Sequence, residues 1–151
     1  ADVDFKSFDE ETFPYAMRQP PSAINALGLV KFMFPNRNNI YLHDTPAKKL
    51  FDREVRAFSH GCVRLAKPFK FAYALLEVQT PNPKLVIQAA LEFEDEVQID
   101  LLNPVPVHLI YRTAVTIPGG GLEFRRDIYG RDTKIWEALQ VEGVVLNDVT
   151  G

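Results

Sequence analysis

Proline limits where regular elements can form in the first part of this chain. The 151 residues include 11 prolines, and proline fixes φ and lacks a backbone N–H, which excludes it from the interior of helices and central strands. Pro14, Pro20 and Pro21 therefore break any regular structure in residues 1–27, and Pro35 ends the apolar run that follows.

Apolar patterns between these breaks predict strands and helices in turn. Strands are predicted at residues 29–34, 39–44, 97–103 and 105–117, the last followed by a hairpin partner at 122–129. Helices are predicted at residues 47–52, at 68–78, after an Asn82 cap with Pro83 in the first turn, and after an Asp132 cap. Because strands and helices do not alternate as βαβ units, the pattern favours a mostly-β or α+β domain.

Charge and hydropathy exclude several classes of protein. The formal net charge is −3 with a pI near 5.6, and no stretch is basic enough to predict nucleic-acid binding. No apolar run reaches the length of a membrane span, so no membrane anchor is expected within the chain. The acidic first residues lack the pattern of a signal peptide.

Cys62 is the single cysteine of the sequence. A single cysteine excludes an internal disulfide and any metal site that needs two thiolates from one chain. Taken alone, such a cysteine is more often a small buried apolar residue than a nucleophile. Its neighbours decide between these two interpretations.

The segment Ser59-His60-Gly61-Cys62-Val63-Arg64 supplies groups that could activate the thiol. A nucleophilic cysteine needs a base or a cation beside it, because the thiolate is the reactive form. His60 shares a side with Cys62 in an extended chain, and His43 could reach the sulfur if the two segments pair. Gly61 would permit a positive φ and a close approach of substrate to backbone N–H groups. Asp44 is a local acceptor that could orient His43.

Two other readings of these residues remain open. His43, His60 and Cys62 are three plausible zinc ligands, although their spacing matches no known zinc pattern. The basic run between the two motif halves is either a solvated face or a surface that meets substrate carboxylates. Its members are Lys48, Lys49, Arg53 and Arg56.

The wider pattern resembles the signature of the YkuD-type L,D-transpeptidase family. In both, a histidine, one further residue and a spacer of this length precede Ser/Thr-His-Gly-Cys. The segments ALGLVKFMFPN, NIYLHDTP, LFDREVRAFSHGCVRL, PVPVHLIYRTA and FRRDIYGRD are similar to its large, periplasmic YcbB-like branch. The resemblance runs from about Phe13 to Asp132. The broader family has glycine after the first histidine, and Asp44 at that position suits the YcbB-like branch.

The resemblance implies a fold and a role for each matching residue. The implied fold is a YkuD-type β-sheet assembly with peripheral helices. Cys62 matches the nucleophile, His43 matches the general base, and Asp44 matches the residue whose main-chain carbonyl orients that histidine. The remaining matches are the turn that shapes the pocket and oxyanion site, Ser59, His60 and Gly61, and the substrate-groove positions Tyr41 and Arg64.

The implied reaction is acyl transfer that builds the cell wall and so supports cell shape. Cys62 would take the acyl group from a tetrapeptide stem with release of D-alanine, forming a thioester, and a second stem would complete a 3-3 cross-link. Water in place of that stem would give L,D-carboxypeptidase activity. The expected partners are peptidoglycan stem peptides and carbapenem inhibitors, in the periplasm or cell envelope. Neither a metal nor an organic cofactor is expected.

The resemblance also predicts how the chain is divided. Residues 1–27 would end a capping or linker segment, and residues 28–151 would form part of the catalytic domain. Further strands and most of the capping subdomain would lie upstream in proteins of this branch. A non-catalytic or truncated peptidoglycan-binding module therefore stays open as an alternative to the enzyme.

Overall fold

The fold, taken from a computed structural model that describes residues 3–9, 11–93 and 95–145, is mixed α+β as predicted. Contacts between Cα atoms divide it into two compact units, Ala1–Val105 and Pro106–Gly151. Among the described residues, no helix combines the length and apolar character that a membrane crossing requires.

A three-stranded sheet forms the first unit together with two helices. Strands β1 (Lys31–Phe32) and β2 (Leu42–His43) are antiparallel, whereas β2 and β3 (Val63–Arg64) are parallel. The predicted strands at 29–34 and 39–44 are therefore present but shorter than expected. A 3-10 helix, Lys48–Asp52, lies in the crossover between β2 and β3, where a short helix was predicted.

Asn36 explains why β1 turns back sharply onto β2. Its side-chain oxygen accepts from the N–H groups of Asn38 at 3.1 Å and Ile40 at 3.0 Å. Its amide nitrogen donates to the carbonyls of Phe34 and Ile40. Such side-chain bonds replace a backbone turn and are the reason asparagine favours these positions.

The apolar core lies where the helices meet the sheet. Helices α1 (Pro68–Leu76) and α2 (Pro83–Leu91) both begin with proline, and the Asn82 side chain caps α2 by accepting from the Leu85 N–H at 3.2 Å. Both predicted helix starts are confirmed. The buried residues are Ala72, Leu76 and Ile87, with Phe32, Phe69, Tyr73, Val86, Ile99 and Leu101 packed against them.

The second unit consists of a hairpin and a helix. Strands β4 (Ala114–Thr116) and β5 (Leu122–Phe124) pair across the predicted turn, so the hairpin is confirmed. Helix α3 (Arg131–Val141) follows. Asp132 does not cap it. The Asp127 carboxylate instead accepts from the backbone N–H groups of residues 131, 132 and 133, while the Asp132 side chain bonds to the Thr113 hydroxyl.

The predicted strands at 97–103 and 105–117 are wrong apart from the three residues of β4. The described residues 95–113 contain no strand, and Val105, Val107 and Leu109 are exposed. Alternating apolar residues give a strand only where a neighbouring strand completes the hydrogen-bond ladder. Periodicity along the sequence does not report whether such a neighbour is present.

Candidate active site

Parallel pairing of β2 and β3 brings the two halves of the sequence motif together. The N–H of Val63 donates to the Tyr41 carbonyl at 3.0 Å, and the N–H of Leu65 donates to the His43 carbonyl at 2.8 Å. His43 is thereby paired with Arg64. Continuing this register by one residue places Cys62 level with Tyr41. Since side chains alternate between faces at every residue, Tyr41, His43, Cys62 and Arg64 lie on one face of the sheet.

His43 is buried, with 4% of its surface exposed, and its ring is held by the next residue. The ring nitrogen Nδ1 bonds to the main-chain carbonyl of Asp44. Because a carbonyl oxygen can only accept, this bond requires the proton on Nδ1. The other nitrogen, Nε2, is then the basic one and can take up a proton.

The Asp44 carboxylate is the centre of a hydrogen-bond cluster behind the histidine. One oxygen, Oδ2, accepts from the Leu29 N–H at 3.0 Å. The other, Oδ1, accepts from the Thr45 N–H at 2.7 Å and from the Lys48 ammonium at 2.5 Å. Burial alone would raise the pKa of Asp44, but the bonds from Lys48, Leu29 and Thr45 together hold this pKa below its ordinary value.

Cys62 is half-buried beside Tyr41. Its thiol donates weakly to the main-chain carbonyl of Asn39, with 3.7 Å between sulfur and oxygen. The Tyr41 ring meets the His43 ring edge-on, with centroids 5.9 Å apart. Burial raises the pKa of the Tyr41 hydroxyl, and the neighbouring Cys62 thiol raises it further. Thiol, phenol and imidazole therefore form a continuous group of side chains.

Comparison with known proteins agrees with this arrangement. The family model of YkuD, the L,D-transpeptidase catalytic domain, matches residues 2–87, which is more than half of the chain. The chain belongs to the YkuD family. A Haemophilus influenzae protein named "Putative L,D-transpeptidase" is 39% identical over 137 residues, or 89% of this chain. The chain spans 27% of the length of that protein. The resemblance to the family seen in the sequence is confirmed.

The turn before Cys62 in this YkuD domain is exposed. Ser59, His60 and Gly61 all face solvent, and the Gly61 N–H donates to the Ser59 hydroxyl oxygen at 3.4 Å. The positive φ that glycine would permit at position 61 is not used, because Gly61 is not among the residues with positive φ. A Cβ on Gly61 would lie 3.5 Å from Ile40 Cγ1, which is ordinary contact. Backbone conformation and packing within the chain therefore leave room for a larger residue here.

Arg64 of the YkuD domain, which is paired with His43, has a buried polar atom in its own side chain. The side chain is half-buried, and its Nε is shielded from solvent and finds no hydrogen-bond partner among the described residues. An unpaired N–H in such a place is costly unless a ligand or water satisfies it. The Arg64 side chain lies on the same face of the sheet as His43.

The zinc reading finds no support in the geometry. Within residues 3–9, 11–93 and 95–145, no three His, Cys, Asp or Glu side chains form a group that could hold a metal ion. His43, His60 and Cys62 are therefore not gathered into a ligand set, with His60 lying in the exposed turn.

Sequence reasoning did not identify the roles of Gly28 and Lys48. Gly28 has φ of 65°, and a Cβ there would overlap the Asp44 carboxylate. Lys48 bonds to that carboxylate and also donates to the Leu65 carbonyl at 3.1 Å. The spacing of Lys48, four residues after Asp44, was an available signal for the ion pair. No local pattern connects Gly28 with Asp44, sixteen residues apart.

Proposed function

We propose that this YkuD domain is the catalytic part of a cysteine L,D-transpeptidase that forms 3-3 cross-links in peptidoglycan. The observation that carries the proposal is the pairing of β2 with β3, which places His43 and Cys62 on one face of the sheet. The bond from His43 Nδ1 to the Asp44 carbonyl supports it further, because it leaves Nε2 free to accept a proton.

Acylation begins with transfer of the Cys62 thiol proton to His43 Nε2. The thiolate sulfur then attacks the carbonyl carbon that joins the third stem residue to the terminal D-alanine. Backbone N–H groups near Gly61 stabilise the oxyanion. The C–N bond breaks, the departing amine takes the proton from His43, and D-alanine leaves. The product of this step is a thioester between Cys62 and the tripeptide stem.

Transfer to the acceptor reverses these roles. The side-chain amine of the third residue in a neighbouring stem attacks the thioester and loses a proton to His43. The carbon–sulfur bond breaks, and the sulfur of Cys62 recovers a proton from the imidazolium. A 3-3 cross-link results. Attack by water instead would release the free stem, which is the L,D-carboxypeptidase reaction.

Substrate recognition is assigned to Tyr41 and Arg64. Both lie on the face of the sheet that carries His43 and Cys62. The guanidinium of Arg64 suits a carboxylate or carbonyl of the stem peptide, since such groups bind these oxygens with strong, directed bonds. Ser59 and His60 belong to the turn that shapes the pocket. Residues 28–151 then contain the catalytic part, and its substrate places the protein in the periplasm or cell envelope.

Acylation by a carbapenem tests this proposal directly. The strained β-lactam carbonyl replaces the donor amide, so the intact protein should gain the mass of one drug molecule on Cys62. Peptide mapping locates the adduct, hydroxylamine should remove it, and Cys62→Ala should never acquire it. An adduct on another residue would show that the nucleophile is wrongly assigned. A thiol that iodoacetamide modifies but carbapenem does not would instead favour a non-catalytic binding module.

A further inference from the structure

We propose that Lys48 and the Asp44 carboxylate are positioning residues that aim the Asp44 carbonyl at His43. The inference rests on the proposed function, because its purpose is to keep His43 Nε2 basic towards Cys62. It goes beyond the role of the Asp44 main chain, since it gives the side chains of Asp44 and Lys48 a role in orienting His43. Lys48 also connects this site with the residue after β3.

The peptide unit between Asp44 and Thr45 connects the Asp44 side chain with His43. The carbonyl of Asp44 and the N–H of Thr45 belong to the same planar peptide and point in opposite directions. Asp44 Oδ1 accepts the Thr45 N–H at 2.7 Å. Holding that N–H fixes the rotation of the peptide plane, and therefore the direction in which the carbonyl meets His43 Nδ1.

The Asp44 carboxylate is itself held by hydrogen bonds on both of its oxygens. Asp44 Oδ2 is bound by the Leu29 N–H, and Oδ1 is bound by the Lys48 ammonium. The absence of a Cβ on Gly28 provides the space for this approach. The Asp44 N–H is itself anchored on the Val30 carbonyl at 2.8 Å. With the backbone and both carboxylate oxygens bound, the side chain has little freedom to rotate.

Lys48 also connects Asp44 with the residue that follows β3. The Lys48 ammonium donates to Asp44 Oδ1 and to the main-chain carbonyl of Leu65, which lies immediately after β3. The Leu65 N–H donates to the His43 carbonyl. Lys48 thus bridges the ends of the two strands that carry His43 and Cys62, and it supports their relative register.

Two other roles for Lys48 fit these contacts less well. A substrate-binding lysine would keep its ammonium open, whereas two of the three donors of Lys48 are already used within the chain. A salt bridge that serves stability alone would not need to share Asp44 Oδ1 with the N–H of Thr45, which belongs to the peptide that orients His43. The 10% exposure of the Asp44 side chain, against 44% for Lys48, places the acceptor inside the site and the cation at its edge.

The experiment measures how Cys62 responds to pH in variants of the intact protein. Lys48→Met removes the bridge at similar length, Lys48→Gln replaces the charged group by a neutral amide on a shorter side chain, and Lys48→Arg keeps a cation. Lys49→Met is the matched control, because Lys49 lies next in the same 3-10 helix and forms no ion pair with the described residues. Iodoacetamide alkylation of Cys62 is followed from pH 5 to 10, values chosen to bracket an ordinary thiol at about 8.5. The tautomer of His43 is read from the nitrogen-15 shifts of its ring.

In Lys48→Met, the alkylation profile of Cys62 should differ from that of the wild type across this pH range. The alkylation rate near pH 7 should fall about tenfold, a part of the ~100-fold that a general base contributes. The His43 ring should show a mixture of tautomers. Lys48→Gln should shift in the same direction, Lys48→Arg should recover most of the rate, and Lys49→Met should match the wild type.

A lower melting temperature with an unchanged alkylation profile and tautomer would overturn the inference, because it would leave Lys48 as a stabilising ion pair only. If Lys48→Met fails to fold, the same comparison between Lys48→Gln and Lys48→Arg decides the matter. Neither readout depends on carbapenem or stem peptide. Loss of His43 orientation in a protein that never takes a carbapenem adduct would therefore support the role of Lys48 while contradicting the proposed function.

Discussion

The Nδ1 atom of His43 bonds to the main-chain carbonyl of Asp44, the residue that follows it directly. The peptide unit at the end of β2 therefore contacts the buried imidazole directly. The carboxylate of the same aspartate is held by Lys48, Leu29 and Thr45. One residue thus orients the histidine with its backbone and stabilises that backbone with its side chain.

Replacing His43 should cost far more activity than replacing His60. His43 is buried with one nitrogen satisfied, whereas His60 is exposed in the turn before Gly61. We expect His43→Ala to lower the rate of acylation about 100- to 10,000-fold, the range for loss of a general base. Carbapenem acylation followed by mass spectrometry measures both variants. A larger loss in His60→Ala would identify His60 as the base.

Replacing Cys62 should abolish the thioester and leave the fold intact. The thiol is half-buried and makes one weak bond, to the Asn39 carbonyl. Cys62→Ser and Cys62→Ala should therefore change the free energy of unfolding by only about 0.5 kcal/mol, as for other substitutions outside the core. Urea denaturation checks stability, and turnover of a tetrapeptide stem checks activity. Cross-linking that survives in Cys62→Ala would contradict the mechanism.

Gly28→Ala should damage the site more than the same change at a glycine with open surroundings. Gly28 and Gly130 have φ of 65° and 61°, so both variants carry the strain of a left-handed residue, about 1–2 kcal/mol. A Cβ at Gly28 would also overlap the Asp44 carboxylate, whereas one at Gly130 would meet nothing within 4 Å. We expect Gly28→Ala alone to slow acylation strongly. Equal rates in the two variants would show that the space beside Asp44 is unimportant.

The lowered pKa of Asp44 predicts a loss of stability in acid. Because the folded pKa lies below the ordinary value of 3.8, the contribution is fully present above that value and disappears as pH falls through the folded pKa. Bonds to a charged group contribute about 1.5–3 kcal/mol. Asp44→Asn should therefore be less stable than the wild type at pH 7, and the difference should shrink below about pH 4. Urea unfolding across this range measures it, and a constant difference would contradict the assignment.

Features that depend on neighbouring residues were predictable from the sequence. Proline in the first turn fixes where α1 and α2 begin, and the Asn82 cap satisfies an N–H three residues away. The motif histidine, glycine and cysteine were recognisable from the resemblance to the YkuD signature. The bond between His43 and Asp44 was also predictable, because it joins adjacent residues. Local bonding rules suffice for each of these features.

Features that depend on distant partners were decided by the tertiary structure. The apolar residues of 105–113 alternate as in a strand, yet they form none, whereas Lys48 in a charged run donates to the carbonyl of Leu65, 17 residues away. Gly28 acquired its importance only when Asp44 packed against it. Strand pairing and close packing join atoms that are far apart along the chain. The free energy of such a contact depends on the residues that surround it in the folded protein. The sequence near either contacting residue therefore does not predict the contact.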